Sequence, residues 1–492
     1  MNTQKYLTEQ RQQAWREELR KSMKNKERAD IPRVKMRELD PEYRSRNYEE
    51  VNLGISLDQA LSESKRCLDC PDPQCITGCP VEINIPGFIK NIERNEILEA
   101  AKILKETSAL PAVCGRVCPQ EKQCESKCML LRMKKEPVAI GYLERFAADF
   151  ERESGSISIP KITESKGIKI AVVGSGPAGL SFAGDMVKYG YEVTVFEALH
   201  EIGGVLKYGI PEFRLPNEIV DIEINILQKM GVRFENNIII GKTISYDDLH
   251  KAGFQGIFVA SGAGLPNFMN IPGENLSGVL SSNEYLTRVN LMAANRKESD
   301  TPVFFGKKVA VIGGGNTAMD SVRTAKRLGA KNATIVYRRS EEEMPARIEE
   351  VKHAKEEGIR FMNLHNPIKY IGDERGRVTQ MILQKMELGE PDASGRRKPV
   401  PVESITETLD VDLVIVAIGV SPNPLIPSAF EGLNVSKWGT IIVNPDTFQT
   451  DLSDVYAGGD IVRGGATVIL AMGDGRKAAT AMHKKFSEEL IK

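Results

Sequence analysis

What this chain lacks narrows its chemistry first. Beyond Cys128 there is no cysteine at all, and none precedes Cys67, so all eight thiols crowd into one short stretch. A disulfide reductase with two nucleotide domains needs a redox dithiol beside its flavin, and none is available downstream. That stretch also contains no histidine, which thins the case for zinc. Basic and acidic residues nearly cancel, 66 against 67, and aromatics make up only 6%. No charge excess or stacking platform points to nucleic acid or an anionic membrane. No apolar run approaches the ~20 residues of a membrane span; Ile168–Val173 and Val411–Val420 are strand-sized. The first thirty residues are charged throughout, without an apolar signal core. A soluble, cytoplasmic location is expected.

What is present begins with the cysteines, Cys67-x2-Cys70-x4-Cys75-x3-Cys79-Pro80 and Cys114-x3-Cys118-Pro119-x5-Cys124-x3-Cys128. Short spacings with proline after a thiol are the pattern of bacterial ferredoxin runs, in which thiolates hold 4Fe–4S clusters. Clustered thiols without a secretion signal favour metal over disulfides. Two clusters would use eight ligands, though the count alone does not assign every thiol.

Two glycine fingerprints follow, Gly174-x-Gly176-x-x-Gly179 and Gly313-x-Gly315-x-x-Ala318. Each sits between an apolar strand and a helix, the context that makes the motif meaningful. At the first, Gly174 makes the turn, Gly176 admits the pyrophosphate and Gly179 packs helix on strand. Glu197, eighteen positions later, is placed to accept ribose hydroxyls. The segments Gly256–Ala263, with Gly262, and Val455–Asp460 followed by Ala466-Thr467 resemble the later motifs of two-domain FAD reductases. They assign this site to FAD, with Asp460 on the ribityl chain. At the second site Gly313, Gly315, Asn316 and Thr317 form the turn. The next strand ends in Arg338-Arg339, where an NAD-specific fold would carry an acid. An arginine pair there suits the 2′-phosphate of NADPH, and Arg347 is a weaker candidate.

The expected fold is α/β. A helical double-cluster ferredoxin-like domain (1–160) precedes two Rossmann-like domains, the second inserted into the first. FAD would occupy 161–285 and 411–492, and NADPH 286–410. Helices are expected over Ile89–Thr107 and Ala139–Glu153, antiparallel strands between Phe361 and Asp410, and a strand at Val411–Ile418 returning the chain to the first domain.

Together with Gly115–Pro119, Gly203–Pro211 (including Gly204), Tyr337–Arg339 with Met344-Pro345 and Ala457–Asp460, these motifs resemble the small (β) subunit of NADPH-dependent glutamate synthase. Its stand-alone, so-called homotetrameric relatives and the large subunit of NADH-dependent reduced ferredoxin:NADP oxidoreductase are similar too. The resemblance covers roughly residue 30 onward. It implies interleaved ligands: Cys67, Cys70, Cys75 and Cys128 for one cluster, and Cys79, Cys118, Cys124 and Glu144 for the other, leaving Cys114 over. It implies an oxidoreductase moving electrons between NADP(H) and a partner through FAD and the clusters, with no side-chain acid or base required. The partner would be a glutamate synthase large subunit, or a small NADH-binding flavoprotein with ferredoxin, or further copies of this chain. With no cysteine before Cys67, a glutaminase nucleophile is expected on the partner. A non-catalytic nucleotide-binding redox sensor is the remaining alternative.

Overall fold

The computed structural model describes residues 3–393 and 395–490. Up to Lys169 the described chain forms helices and loops without a named strand. The apolar spacing over Ile89–Thr107 is shared by two helices, Ile85–Glu93 and Ile97–Thr107, instead of one. Asn95 takes a left-handed φ of +64°, which asparagine tolerates better than most residues, and the chain turns there. Helix Ile140–Glu153 forms as expected, and Leu143, Glu144, Ala147, Ala148 and Glu151 are all buried at helical spacing.

Two parallel five-stranded sheets follow. The first runs, in spatial order, Val455–Ala457, Phe254–Val259, Lys169–Val173, Glu192–Phe196 and Arg233–Glu235. In the second the order is Val279–Ser281, Leu413–Val416, Lys308–Ile312, Asn332–Tyr337 and Arg360–Asn363. Three antiparallel strands, His365–Gly372, Val378–Pro391 and Arg397–Asp410, stand beside the second sheet.

One sequence expectation needs correction here. Leu413–Val416 does not return the chain to the first sheet; it pairs with Lys308–Ile312 and Val279–Ser281 in the second. The second sheet therefore draws on 279–416, wider than 286–410. The link back is a two-stranded crossing of Val420-Ser421 with Leu265-Pro266. A short parallel strand buried on both faces carries no alternation that says which sheet it joins.

A single apolar core runs from the cysteine-rich helices into the first nucleotide domain, from Val81 and Leu104 to Leu180, Phe182 and Met482. The C-terminal helix Val468–Leu490 lies across it. This shared core fixes the thiols relative to the first sheet.

Candidate redox centre

At the first fingerprint, Gly174 has φ +105°, and a Cβ there would stand 2.5 Å from the Ala260 carbonyl oxygen. Glycine is required on both counts. Gly176 starts the helix Pro177–Lys188 as its N-cap. A Cβ on it would meet nothing within 4 Å, and the same holds for Gly262. This leaves an open cradle at a helix N-terminus, the arrangement that receives phosphate. Gly204 brings its backbone against Gly176, where a Cβ would come within 2.9 Å of the Gly176 Cα.

Glu197 is buried beside this turn and accepts hydrogen bonds from the Ser175 N–H (2.9 Å) and hydroxyl (2.5 Å) and from the Leu199 N–H (2.9 Å). It anchors the glycine turn. Asp460 accepts from the Ala466 N–H at 3.1 Å, and burial raises its pKa to about 6. The Thr467 hydroxyl accepts from the Leu470 N–H at 3.4 Å, just ahead of the C-terminal helix.

The second fingerprint repeats the geometry. Gly315 caps helix Asn316–Arg327, Thr317 is exposed beside it, and Gly313 has φ +141° beneath the Ala417 carbonyl. The Asn316 side chain accepts the Arg347 N–H at 2.9 Å. The two arginines after the strand part company. Arg338 is exposed. Arg339 is buried, bonded to Asp392 at 2.6 Å and to the Arg397 carbonyl at 2.8 Å, so it secures the antiparallel ribbon. Arg347 turns the other way and donates to the Arg116 carbonyl (2.6 Å) and Gln120 Oε1 (3.1 Å). It joins the second nucleotide domain to the loop carrying Cys118, a role sequence spacing did not reveal.

The thiols, all unpaired, fall into two neighbourhoods. Cys75 is pushed well above the usual thiol range by burial and by Cys67, Cys128 and Cys70. The same set includes three partly exposed residues, Cys70, Cys75 and Cys128. Deeper in, Cys79, Cys114, Cys118 and Cys124 are all buried. Cys118 is raised by its hydrogen bond with Cys114, by burial, and by Glu144 and Cys124 nearby. Burial lifts Cys67 to about 11 and Cys79 to about 12, so these are protonated thiols until a metal takes the proton's place.

Glu144 belongs to the inner set. It is buried, its Oε1 has no hydrogen-bond partner, and burial with Glu223 nearby raises its pKa to about 8. A buried carboxylate oxygen left without a donor is costly and fits a metal ligand. Cys114 also lies in this set, giving five donors where a cubane takes four.

Among the described residues, one trio of possible donor atoms gathers within 4.8 Å, that of Glu38, His353 and Glu356. The Glu38–Glu356 pair is itself matched by Lys352 and Arg44 and ties the segment before the thiols to the second nucleotide domain.

The inner set abuts the first nucleotide domain. Cys114 Sγ lies 3.5 Å from Met472 Sδ on the C-terminal helix. A Cβ on Gly473 would come within 2.8 Å of the Pro80 carbonyl, immediately after Cys79. On the outer side, Asp69 between Cys67 and Cys70 is buried with φ +51°. Its carboxylate takes Arg16 and Arg20, each at 2.6 Å, and its carbonyl takes Arg11 at 2.8 Å. No described helix is long and apolar enough to cross a membrane.

Comparison with known proteins agrees with this layout. Residues 44–156 match the family model of dihydropyrimidine dehydrogenase domain II, 4Fe-4S cluster, and 168–475 that of pyridine nucleotide-disulphide oxidoreductase. The chain is 35% identical over 446 residues to the glutamate synthase (NADPH) small chain of Azospirillum brasilense, covering 89% of this chain and 92% of that one. The Escherichia coli protein of the same name is 36% identical over 456 residues, covering 92% and 96%. NADPH-Fe(3+) oxidoreductase subunit beta of Geobacter sulfurreducens is 37% identical over 448 residues, 86% of this chain and 65% of that protein. Among solved structures, Mycobacterium tuberculosis FprA in complex with NADPH shares the fold, with a TM-score of 0.55 at 20% identity over 66% of this chain and 86% of its own.

Proposed function

This chain belongs to the glutamate synthase (NADPH) small-chain family of flavin and iron–sulfur oxidoreductases, and we propose that it delivers electrons from NADPH to a separate large subunit in the cytoplasm. That subunit would use them to form glutamate from glutamine and 2-oxoglutarate. When bound, FAD and two 4Fe–4S clusters supply the conversion of a hydride pair into single electrons.

The chain's own residues hold and separate these groups. Gly174, Gly176, Gly179, Gly204 and Gly262 form the FAD cradle, with Glu197, Asp460 and Thr467 at its edges. Gly313, Gly315, Asn316 and Thr317 receive the NADPH pyrophosphate, and exposed Arg338 meets its 2′-phosphate. Cys67, Cys70, Cys75 and Cys128 hold the outer cluster; Cys79, Cys118, Cys124 and Glu144 hold the inner one. No acid or base is needed, so catalysis is orientation of the bound groups.

The observation that carries this reading is the contact of Cys114 and Pro80 with Met472 and Gly473. It sets one thiol group against the helix that closes the flavin site; of the other group Cys67 is buried and Cys70, Cys75 and Cys128 are partly exposed. Anaerobic isolation of the native assembly tests it. A larger subunit co-purifying, with NADPH bleaching the flavin, is expected. A smaller flavoprotein in its place would overturn the glutamate role in favour of an NADH-linked transhydrogenase.

A further inference from the structure

Of the outer thiols, Cys70 lines a cavity of about 690 Å³. Arg11 and Arg20 from the N-terminal helices form one wall, and Arg132, just beyond Cys128, forms another. Asp69 is buried under Arg16 and Arg20, and Asp72 accepts from the neutral Gln74 amide at 2.7 Å and keeps its charge. Three arginines of the lining stand against these two acids, so the rim carries one net positive charge. Arg11 and Arg20 lie before residue 44, outside the stretch that matches the 4Fe-4S family model.

Resting on the function proposed above, we propose that this groove is the docking face for a partner protein whose surface is acidic around a one-electron centre. Electron transfer requires close approach, and the inner thiols are walled in by the C-terminal helix. The outer set, with Cys70, Cys75 and Cys128 partly exposed, is the side a protein can reach. Guanidiniums make bidentate, charge-assisted contacts with carboxylates, and a cationic rim steers an acidic surface toward Cys70. Each NADPH oxidised to NADP⁺ gives up two electrons and releases one proton, so two successive one-electron transfers cross this face per turnover.

The test uses the cluster-loaded protein, a small acidic bacterial ferredoxin as probe, and direct binding measurements at low and moderate salt. Arg132→Glu is expected to weaken ferredoxin binding about tenfold or more and to flatten its salt dependence. Lys437→Glu, an exposed charge reversal outside the groove, should leave binding unchanged. NADPH-driven reduction of a small uncharged quinone should be the same in all three proteins. Ferredoxin binding that is equal in wild type and Arg132→Glu, or equally weakened by Lys437→Glu, would overturn the docking face. Failure of wild type to reduce the quinone would instead overturn the underlying redox reading.

Discussion

Cys114 Sγ and Met472 Sδ stand 3.5 Å apart, 358 residues distant in sequence. Their contact places the inner thiols against the helix that closes the first nucleotide site. Gly473, the next residue, has no room for a side chain beside Pro80. Gly473→Val should push the Cys79–Pro80 loop away from the helix. Stopped-flow absorbance should then show NADPH bleaching the flavin at its normal rate while cluster reduction slows at least tenfold.

Arg16 and Asp69 form a buried pair within the outer ligand loop. Arg16→Ala leaves that buried carboxylate to Arg20 alone, a loss worth ~1–3 kcal/mol. The variant should melt at a lower temperature and lose iron from the outer cluster first, as iron analysis and calorimetry would show.

The arginine pair after the second strand should separate by function. Arg338→Ala should lower kcat/KM for NADPH relative to NADH by about 10–100-fold, the value of a charge-assisted phosphate contact. Arg339→Ala, which removes the contacts to Asp392 and the Arg397 carbonyl, should affect thermal stability more than cofactor preference. Steady-state kinetics with both nucleotides separates the two.

Glu223 accepts the Ala112 N–H at 2.7 Å from a fully buried position, and burial raises its pKa to about 7. A carboxyl raised in the folded state makes stability fall as pH climbs from its ordinary value near 4.5 toward 7, because only the folded form still holds the proton. The loss across that window is on the order of 3 kcal/mol. Glu223→Gln should remove this slope and stabilise the protein at pH 8, which melting curves at pH 5 and pH 8 will reveal.

The nucleotide sites were legible because glycine sterics are local. Gly174 and Gly313 take positive φ in a strand–turn–helix that lies within a few residues, although the Ala260 and Ala417 carbonyls that also exclude a side chain come from far along the chain. The thiol spacing likewise announced clusters. What escaped is set by distant partners. Nothing near Arg339 says that Asp392 claims it, and nothing near Arg347 says that it faces Arg116 and Gln120. Asp69 reads as a loop acid until Arg16 and Arg20 arrive from the N-terminal helices. Glu223 looks like any helical carboxylate, although its helix buries that face. Leu413–Val416 was recognisable as a strand, yet its apolar run held no address for its sheet.

The central claim is that two distinct clusters link the NADPH and flavin sites to the outer surface. An anaerobic NADPH titration of the cofactor-loaded chain, followed by flavin absorbance and low-temperature EPR with metal analysis, tests it most directly. The account predicts flavin bleaching accompanied by two reduced 4Fe–4S signals, the outer one lost in Cys70→Ser and the inner one in Cys124→Ser. Flavin bleaching without iron–sulfur signals, or zinc in place of iron, would contradict it.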